Sequence, residues 1–317
     1  MSESTGATTY PSREQIAQAR DRIGQHVRRT PVLEVEHDGR PLTLKLELLQ
    51  HTGSFKPRGA FNSVLSAPQR PEMLVAASGG NHGLAVAHVG RTLGIPAEIF
   101  VPRTAPAIKV TALRALGAHV HQGGDRYDEA LQASQELADR PGALAVHAYD
   151  SYATVCGQGT LGAELEEQSP SDTVLVAVGG GGLIGGVTSW YAGRVRVVAV
   201  EPRSAPTMHA ALAAGLPVPV SPSGLAADSL GASVIGEIGL AAAQVTGVRS
   251  LLVDDEDIQA ARRWLWREAR TAAEPGGATA LAAVLSGGYR PAPGERVSVV
   301  VCGANADPGD LTAVPPA

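Results

Sequence analysis

Short apolar segments rich in valine, leucine and alanine recur along the 317-residue chain, and glycine or proline marks the ends of most of them. Segments with apolar residues at helical spacing lie between these runs. The apolar runs have the length of buried strands, and their alternation with helices is typical of parallel sheets covered by helices. We therefore expect an α/β protein whose sheets are mostly parallel.

The individual elements can be placed along the chain. The predicted strands are LTLKLELL from Leu42, MLVAAS from Met73, AEIFVP from Ala97, ALAVHAY from Ala143, TVLVAV from Thr173, RVRVVAVEP from Arg194, VRSLLV from Val248 and RVSVVV from Arg296. The predicted helices follow Asn81, Val110, Gly182 and Asp257, and another runs from Ser12 to about Arg29. This first helix should end before Thr30, because a residue that precedes proline disfavours the helical conformation.

Charge and cysteine content exclude several classes of function. A formal net charge of -5 gives no basic surface for nucleic acid. The two cysteines, Cys156 and Cys302, are too few for a disulfide framework and too far apart for a CxxC motif. The N-terminus resembles no signal peptide, and no apolar run reaches the length of a membrane span. We expect a cytoplasmic protein that binds small molecules, without nucleic-acid or membrane partners.

A lysine at a predicted helix start is the first chemical signal. The segment Gln50–Asn62 contains TGSFKPRGA, and Pro57 suits the first turn of a helix. Lys56 would then lie at the helix N-terminus, where the helix dipole and burial both favour a neutral amine. A neutral amine can form a Schiff base with an aldehyde. The alternative is a solvated lysine that happens to begin a helix.

A run of four glycines is the second signal. Gly179–Gly182 follows an apolar strand and precedes a predicted helix, so its N–H groups form an anion site suited to phosphate. A flexible linker is the simplest alternative, but linkers are not bracketed by buried strands. Gly180, Gly182 and Gly185 also fit the GxGxxG pattern of dinucleotide-binding folds, with Glu201 as the ribose-binding acid. A dinucleotide site would give Lys56 no role, which counts against this interpretation.

A third polar loop, Ala77–His82, closes one predicted strand and opens a helix. Ligands of α/β proteins bind at this end of the strands. The helix amides could hold a carboxylate, and Asn81 could donate a hydrogen bond to a phenolate oxygen. The alternative is an ordinary glycine-rich turn in which Asn81 and His82 act as caps.

Taken together, the three segments resemble the serine/threonine dehydratase family of fold-type II pyridoxal-phosphate (PLP) enzymes, which includes serine racemase. GQGT at Gly157–Thr160 also matches that family. The resemblance implies two interleaved three-layer α/β/α domains with mostly parallel sheets. Residues 1–72 and 151–317 would form a large PLP-binding domain, and residues 73–150 a small domain. It also implies a homodimer.

The resemblance assigns roles to individual residues. Lys56 would bind the cofactor as a Schiff base and remove the Cα proton, which makes it the catalytic residue. The expected cofactor contacts are Phe55, Lys56, Asn81, Gly179, Gly180, Gly181, Gly182, Leu183, Glu274 and Cys302. The expected substrate contacts are Ser78, Gly79, Gly80, Asn81 and His82.

Two positions depart from the family pattern. Cys302 occupies the place of a serine beside the pyridine nitrogen, and either group is too weak an acid to protonate that nitrogen as an aspartate would. The alternative for Cys302 is a small buried apolar residue. Thr207 replaces an aspartate of the family's cation site, which leaves Glu201 and a carbonyl near Ala205, so we expect no metal.

The resulting expectation is elimination of water and ammonia from L-threonine or L-serine to give a 2-oxo acid. A racemase of the same family is an alternative, but the resemblance to serine racemase implies a serine, able to protonate the opposite face, at the position of Gly79. Two different classes of protein also fit part of the pattern: a nicotinamide-dependent oxidoreductase and a catalytically silent PLP-binding protein.

Overall fold

Two separate sheets organise the chain in the computed structural model, which describes residues 10–311. The larger sheet has the strand order β1-β2-β10-β7-β8-β9, and the smaller sheet has the order β5-β4-β3-β6. The strands are β1 (Val32–His37), β2 (Arg40–Lys45), β3 (Met73–Ala77), β4 (Ala97–Val101), β5 (His119–Gln122), β6 (Ala143–Ala145), β7 (Thr173–Ala177), β8 (Arg196–Pro202), β9 (Arg249–Val253) and β10 (Val297–Val300).

All neighbouring strands pair in parallel except β1 and β2. These two form an antiparallel hairpin whose turn, Asp38–Gly39, has φ angles of 49° and 71°. Both residue types tolerate this left-handed conformation. The predicted α/β fold with mostly parallel sheets is confirmed.

Helices connect and cover the strands. They are α1 (Arg13–Ile23), α2 (Lys56–Leu65), α3 (Asn81–Leu93), α4 (Ala107–Ala115), α5 (Tyr127–Ala138), α6 (Tyr152–Gln168), α7 (Gly182–Tyr191), α8 (Thr207–Ala214), α9 (Ala227–Leu230), α10 (Glu237–Thr246), α11 (Asp255–Ala269) and α12 (Pro275–Leu285). Within residues 10–311, none of them is long and apolar enough to cross a membrane.

The smaller sheet lies within one continuous stretch of the chain. Its strands all fall between Met73 and Ala145, whereas strands of the larger sheet precede and follow that stretch. Each sheet has its own apolar core. The exact boundaries between the predicted large and small domains, at residues 72/73 and 150/151, stay a prediction.

Three predicted elements end well before the sequence indicated, and one of them is ALAVHAY, in which only Ala143–Ala145 forms a strand. The first helix was expected to reach about Arg29 but stops at Ile23. The main-chain N–H and C=O of Arg28 are instead bound by the side chain of Gln50, at 2.9 and 2.8 Å, and these bonds require a non-helical chain. The apolar run from Leu42 was expected to be one strand, but β2 stops at Lys45 and a 3₁₀ helix occupies Glu47–Leu49.

Helix α6 lies against both α2 and α7 because glycines remove the side chains at its contacts. A Cβ atom at Gly157 would lie 2.4 Å from the carbonyl oxygen of Arg58 in α2. A Cβ atom at Gly159 would lie 2.9 Å from the carbonyl oxygen of Gly186 in α7. Two glycines of the GQGT segment therefore set how closely the lysine helix and the glycine-loop helix pack on α6.

A buried network of charges holds the start of α2. The guanidinium of Arg58, 1% exposed, binds Glu47 at 2.6 Å and Glu164 at 3.0 Å. Lys45 binds the other oxygen of Glu164 at 2.5 Å, and the Thr30 hydroxyl donates to Glu47 at 2.7 Å. Two cations and two anions thus compensate one another. Buried charges are tolerated when they are paired and hydrogen-bonded in this way.

Glu47→Gln should lower the free energy of unfolding by about 3–5 kcal/mol, because it leaves the buried Arg58 guanidinium without its nearest counter-charge. The matched control is Asp125→Asn, which makes the same change in an exposed pair with Arg103. This control should cost about 1 kcal/mol or less. Urea unfolding monitored by circular dichroism measures both, and equal losses would contradict a special role for the buried network.

Candidate active site

Lys56 is the first residue of α2, and its amine is held inside the protein. Its Nζ donates to the carbonyl oxygen of Ala148 at 2.8 Å and lies 5.1 Å from the centre of the Phe55 ring. Burial lowers the pKa of Lys56 to about 8, although the nearby Glu274 carboxylate acts in the opposite direction. A useful fraction of the amine is therefore neutral near physiological pH.

The chain's three lysines have different partners. Lys45 pairs with Glu164 and Lys109 pairs with Asp228. Lys56 instead meets a carbonyl oxygen, which stabilises an ammonium ion less than a carboxylate does. Lys56 is therefore the lysine best suited to act as a nucleophile.

The segment before Lys56 is tied to the chain that follows β10. Phe55 N–H donates to the carbonyl of Cys302 at 3.2 Å, and Ala304 N–H donates to the carbonyl of Gly53 at 2.9 Å. These bonds bring Cys302 next to the lysine. The Cys302 side chain is 3% exposed, and its Sγ lies 3.5 Å from the carbonyl oxygen of Gly276. Burial raises the pKa of the Cys302 thiol, so this group is neutral.

The glycine loop connects β7 to α7, as predicted. Gly181 precedes the helix with φ of 90°, a conformation that favours glycine. A Cβ atom at Gly180 would lie 2.3 Å from the ring of Tyr149, and one at Gly182 would lie 2.8 Å from the Tyr149 main chain. The loop therefore has room only for glycine. Leu183 is buried in the first turn of α7, and the N-terminal amides of this helix are available to bind an anion.

The substrate loop lies between β3 and α3. Ser78 Oγ accepts a hydrogen bond from Gly80 N–H at 3.3 Å, and a Cβ atom at Gly79 would meet other atoms only at ordinary contact distance. The buried His82 ring bonds to the carbonyl of Val146 at 2.7 Å. Burial, helped by the charge of Lys56, lowers the pKa of His82 to about 3, so its ring is neutral. What this residue can offer a carboxylate is its main-chain N–H in the first turn of α3.

Asn81, at the start of α3, is hydrogen-bonded to Glu274, the residue that precedes α12. Asn81 Nδ2 donates to Glu274 Oε1 at 2.7 Å, and Asn305 Nδ2 donates to Asn81 Oδ1 at 2.6 Å. The Asn305 main-chain N–H donates to the other oxygen of Glu274 at 3.1 Å. Burial raises the pKa of Glu274 to about 7, despite the hydrogen bond from Asn81. Glu274 can therefore exchange a proton near neutral pH.

Sequence reasoning missed three residues of this region. Asn305 follows Cys302 in the CGAN segment, so its place in the motif could have revealed it. Ala148 and Tyr149 lie in the irregular chain between β6 and α6, where one contacts Lys56 and the other packs on the glycine loop. Nothing in the local pattern indicated these contacts.

The carboxylate oxygens of Glu201 are already occupied by hydrogen bonds within the protein, which leaves them poorly available to a ribose hydroxyl or a cation. It is fully buried in β8, and its oxygens accept bonds from the N–H groups of Met208 at 2.7 Å and His209 at 2.8 Å. The Ser250 hydroxyl donates to it at 2.8 Å, and Thr207 Oγ1 lies 3.2 Å away. These contacts disfavour the dinucleotide interpretation. Among residues 10–311 no group of three His, Cys, Asp or Glu side chains could hold a metal ion.

The site as a whole suits a phosphorylated aldehyde. A buried amine with a lowered pKa lies at one end, and a loop of glycine amides at a helix N-terminus supplies an anion site. The neutral thiol of Cys302 and the Asn81–Glu274 pair provide polar groups beside the lysine. These features match what PLP requires for binding.

Comparison with known proteins agrees with this chemistry. A family model described as "Pyridoxal-phosphate dependent enzyme" matches residues 23–303. The chain is 36% identical over 310 residues to a phenylserine dehydratase of Ralstonia pickettii, covering 95% of each chain. It is 37% identical over 278 residues to an L-threonine ammonia-lyase of Thermotoga maritima, covering 86% of this chain and 69% of the relative. The structure of maize serine racemase superposes with a TM-score of 0.89 at 34% identity, covering 95% of each chain.

The rate at which the cofactor-free protein captures PLP should rise about tenfold per pH unit up to pH 8 and then level off. Lys56 has its pKa at about 8, and only the neutral amine attacks an aldehyde. An ordinary lysine, with a pKa of 10.5, would gain rate well beyond that pH. Stopped-flow absorbance measures the capture, and free Nα-acetyl-lysine corrects for titration of the aldehyde itself. Identical pH profiles for the protein and free lysine would contradict the lowered pKa.

Proposed function

The chain belongs to the pyridoxal-phosphate dependent enzyme family, and on that premise we propose that it is a lyase. The reaction is α,β-elimination: a β-hydroxy amino acid such as L-threonine or L-serine loses water, and the enamine that results is hydrolysed to a 2-oxo acid and ammonia. The observation that carries this proposal is Lys56, a half-buried lysine at a helix start whose amine donates to a main-chain carbonyl and has its pKa lowered to about 8 by desolvation.

Several residues would hold the cofactor in this proposal. Gly179–Leu183 would bind its phosphate, Phe55 would pack on its ring, and Asn81, with one amide N–H engaged by Glu274, has a second that can reach the ring hydroxyl. Pyridoxal phosphate supplies, when bound, an aldehyde that takes up amines and a ring that withdraws electrons from Cα. Cys302 would lie beside the ring nitrogen and, as a neutral thiol, would leave it unprotonated.

Lys56 would then carry the proton transfers. With the substrate bound, the Lys56 amine could accept the Cα proton, because burial lowers its pKa to about 8 and so leaves a fraction of the amine uncharged near neutral pH. The first-turn amides of α3 would hold the substrate carboxylate, with Ser78 and Gly80 shaping the loop. Loss of the β-hydroxyl as water, with the proton that Lys56 took from Cα, would complete the elimination.

Elimination is favoured over racemisation by the residue at position 79. Racemisation needs a second acid–base group that returns a proton to Cα from the face opposite Lys56. Gly79 has no side chain to do so. The family also contains serine racemases similar to this chain, such as the maize enzyme, so this distinction is the one that needs testing.

The names of the relatives suggest which substrates this enzyme would accept. Their names concern threonine, serine and phenylserine, which differ only in the group on Cβ. We further propose that the enzyme works in the cytoplasm as a homodimer and needs neither metal nor nucleic acid.

The wild-type enzyme should release pyruvate and ammonia from L-serine, while D-serine forms about a hundredfold more slowly. This factor is the smallest that a positioned acid–base group usually contributes. Gly79→Ser should add D-serine formation, because a side chain fits there: the nearest atom to a new Cβ is Val101 Cγ1 at 3.5 Å. Chiral chromatography and a 2-oxo acid assay on the same samples measure both products.

Lys56→Ala is the control for this experiment, since it should silence both reactions. If wild-type enzyme makes D-serine as fast as pyruvate, it is a racemase and the assignment of Gly79 is wrong. Cofactor binding without any product would identify a silent PLP-binding protein instead.

A further inference from the structure

A cleft of about 770 Å³ opens directly beside the substrate loop. It is lined by Gly79, Gly80 and Asn81 of this loop and by Glu274 and Asn305, which are hydrogen-bonded to Asn81. Lys56 and the glycine loop are not among the residues that line it. The amine and the anion site that would hold the cofactor's aldehyde and phosphate thus lie outside the cleft. Asn81 and Glu274, which are also expected cofactor contacts, line only part of it, so the rest of its volume remains available to a substrate.

The expected binding mode directs one part of the substrate into this cleft. Cα of an amino acid carries an amine, a carboxylate, a hydrogen and a side chain. In the proposed reaction the amine goes to the cofactor, the carboxylate to the substrate loop and the hydrogen to Lys56. The side chain is left to point toward the open space beside Gly79 and Asn81.

Much of the cleft wall is apolar. Its apolar lining residues include Leu84 of α3, Ile108 and Ala112 of α4, and Ala306 and Pro308 near the end of the described chain. Ile108 is 80% exposed, so its apolar side chain is accessible to a group that enters the cleft. A methyl group or a hydrogen on Cβ would not reach such walls.

The charges of the residues that line the cleft do not favour a substrate with an acidic side chain. Lys109 is the one cation among the described residues that line it, and Asp228 already pairs with that lysine. Asp307 and Glu274 add further negative charge. A second carboxylate on the substrate would therefore meet no unpaired cation.

We propose that the preferred substrate is a β-hydroxy amino acid with a bulky apolar group, aryl or branched alkyl, on Cβ. This inference rests on the proposed elimination reaction and narrows its substrate class. Burial of the group against Leu84, Ile108 and Pro308 supplies the binding energy, and Gly79 leaves the entrance to the cleft open.

The first test compares L-threo-3-phenylserine, L-threonine and L-threo-3-hydroxyaspartate as substrates of the wild-type holoenzyme. The value of kcat/KM should be roughly tenfold or more higher for phenylserine than for threonine, since each added methylene in an apolar pocket is worth at least about that factor. Hydroxyaspartate should be the poorest of the three. Threonine or hydroxyaspartate ahead of phenylserine would overturn the inference while leaving the proposed reaction intact.

A second test places a charge on the cleft wall. Ile108→Asp should lower the ratio of kcat/KM for phenylserine to that for threonine by about tenfold, because an aryl group would then pack against a carboxylate. The matched control is Val245→Asp on α10, another exposed apolar residue, 70% exposed, outside the cleft walls. Its ratio should stay at the wild-type value. An unchanged ratio in Ile108→Asp would contradict the assignment of the cleft.

Binding of amino acids that have no β-hydroxyl separates this inference from the proposed reaction. L-Phenylalanine should bind the holoenzyme at least tenfold more tightly than L-alanine, as measured by calorimetry or by the change in cofactor absorbance. This preference should be lost in Ile108→Asp. Tight phenylalanine binding without turnover of any hydroxy amino acid would refute the lyase but support the cleft, and equal binding of the two ligands would refute the cleft.

Discussion

The compensated charges around Arg58 are the interaction on which the catalytic arrangement depends. Arg58 lies two residues after Lys56, so the bonds from its guanidinium to Glu47 and Glu164 fix the first turn of α2. Separation of Arg58 from either carboxylate would leave a buried charge without its partner. The cost of such an unpaired charge strongly favours the paired geometry. The amine of Lys56 is thereby held at Ala148, away from carboxylates, and burial can keep its pKa low.

The same helix geometry connects the lysine to the glycine loop. Helix α6 contacts α2 at Gly157 and α7 at Gly159, and at both places a side chain would collide with the main chain opposite. Because these contacts are between backbones, they leave little freedom for either helix to shift. The packing of these helices thus fixes the distance between the Lys56 amine and the amides of the glycine loop. The hydrogen bond from Asn81 to Glu274 connects this region to the smaller sheet.

Local patterns in the sequence predicted the parts of the site that depend on local geometry. Pro57 marked the helix start at Lys56, and four glycines between a strand and a helix marked the loop. Contacts made by irregular chain carried no such signal, which is why Tyr149 against the glycine loop was missed. The first helix was predicted too long: it ends at Ile23 with Gly24 as its C-cap, and the chain after it is held in a non-helical conformation by a distant side chain, Gln50, that binds the main chain at Arg28.

The central claim is that Lys56 carries the cofactor, and one measurement tests it directly. The chain has only Lys45, Lys56 and Lys109 as lysines. Reduction of the yellow holoprotein with borohydride, followed by proteolysis and mass spectrometry, should find the pyridoxyl group on the peptide that contains Lys56 and on neither of the others. A label on Lys45 or Lys109, or a protein that takes up PLP without any covalent label, would contradict the account.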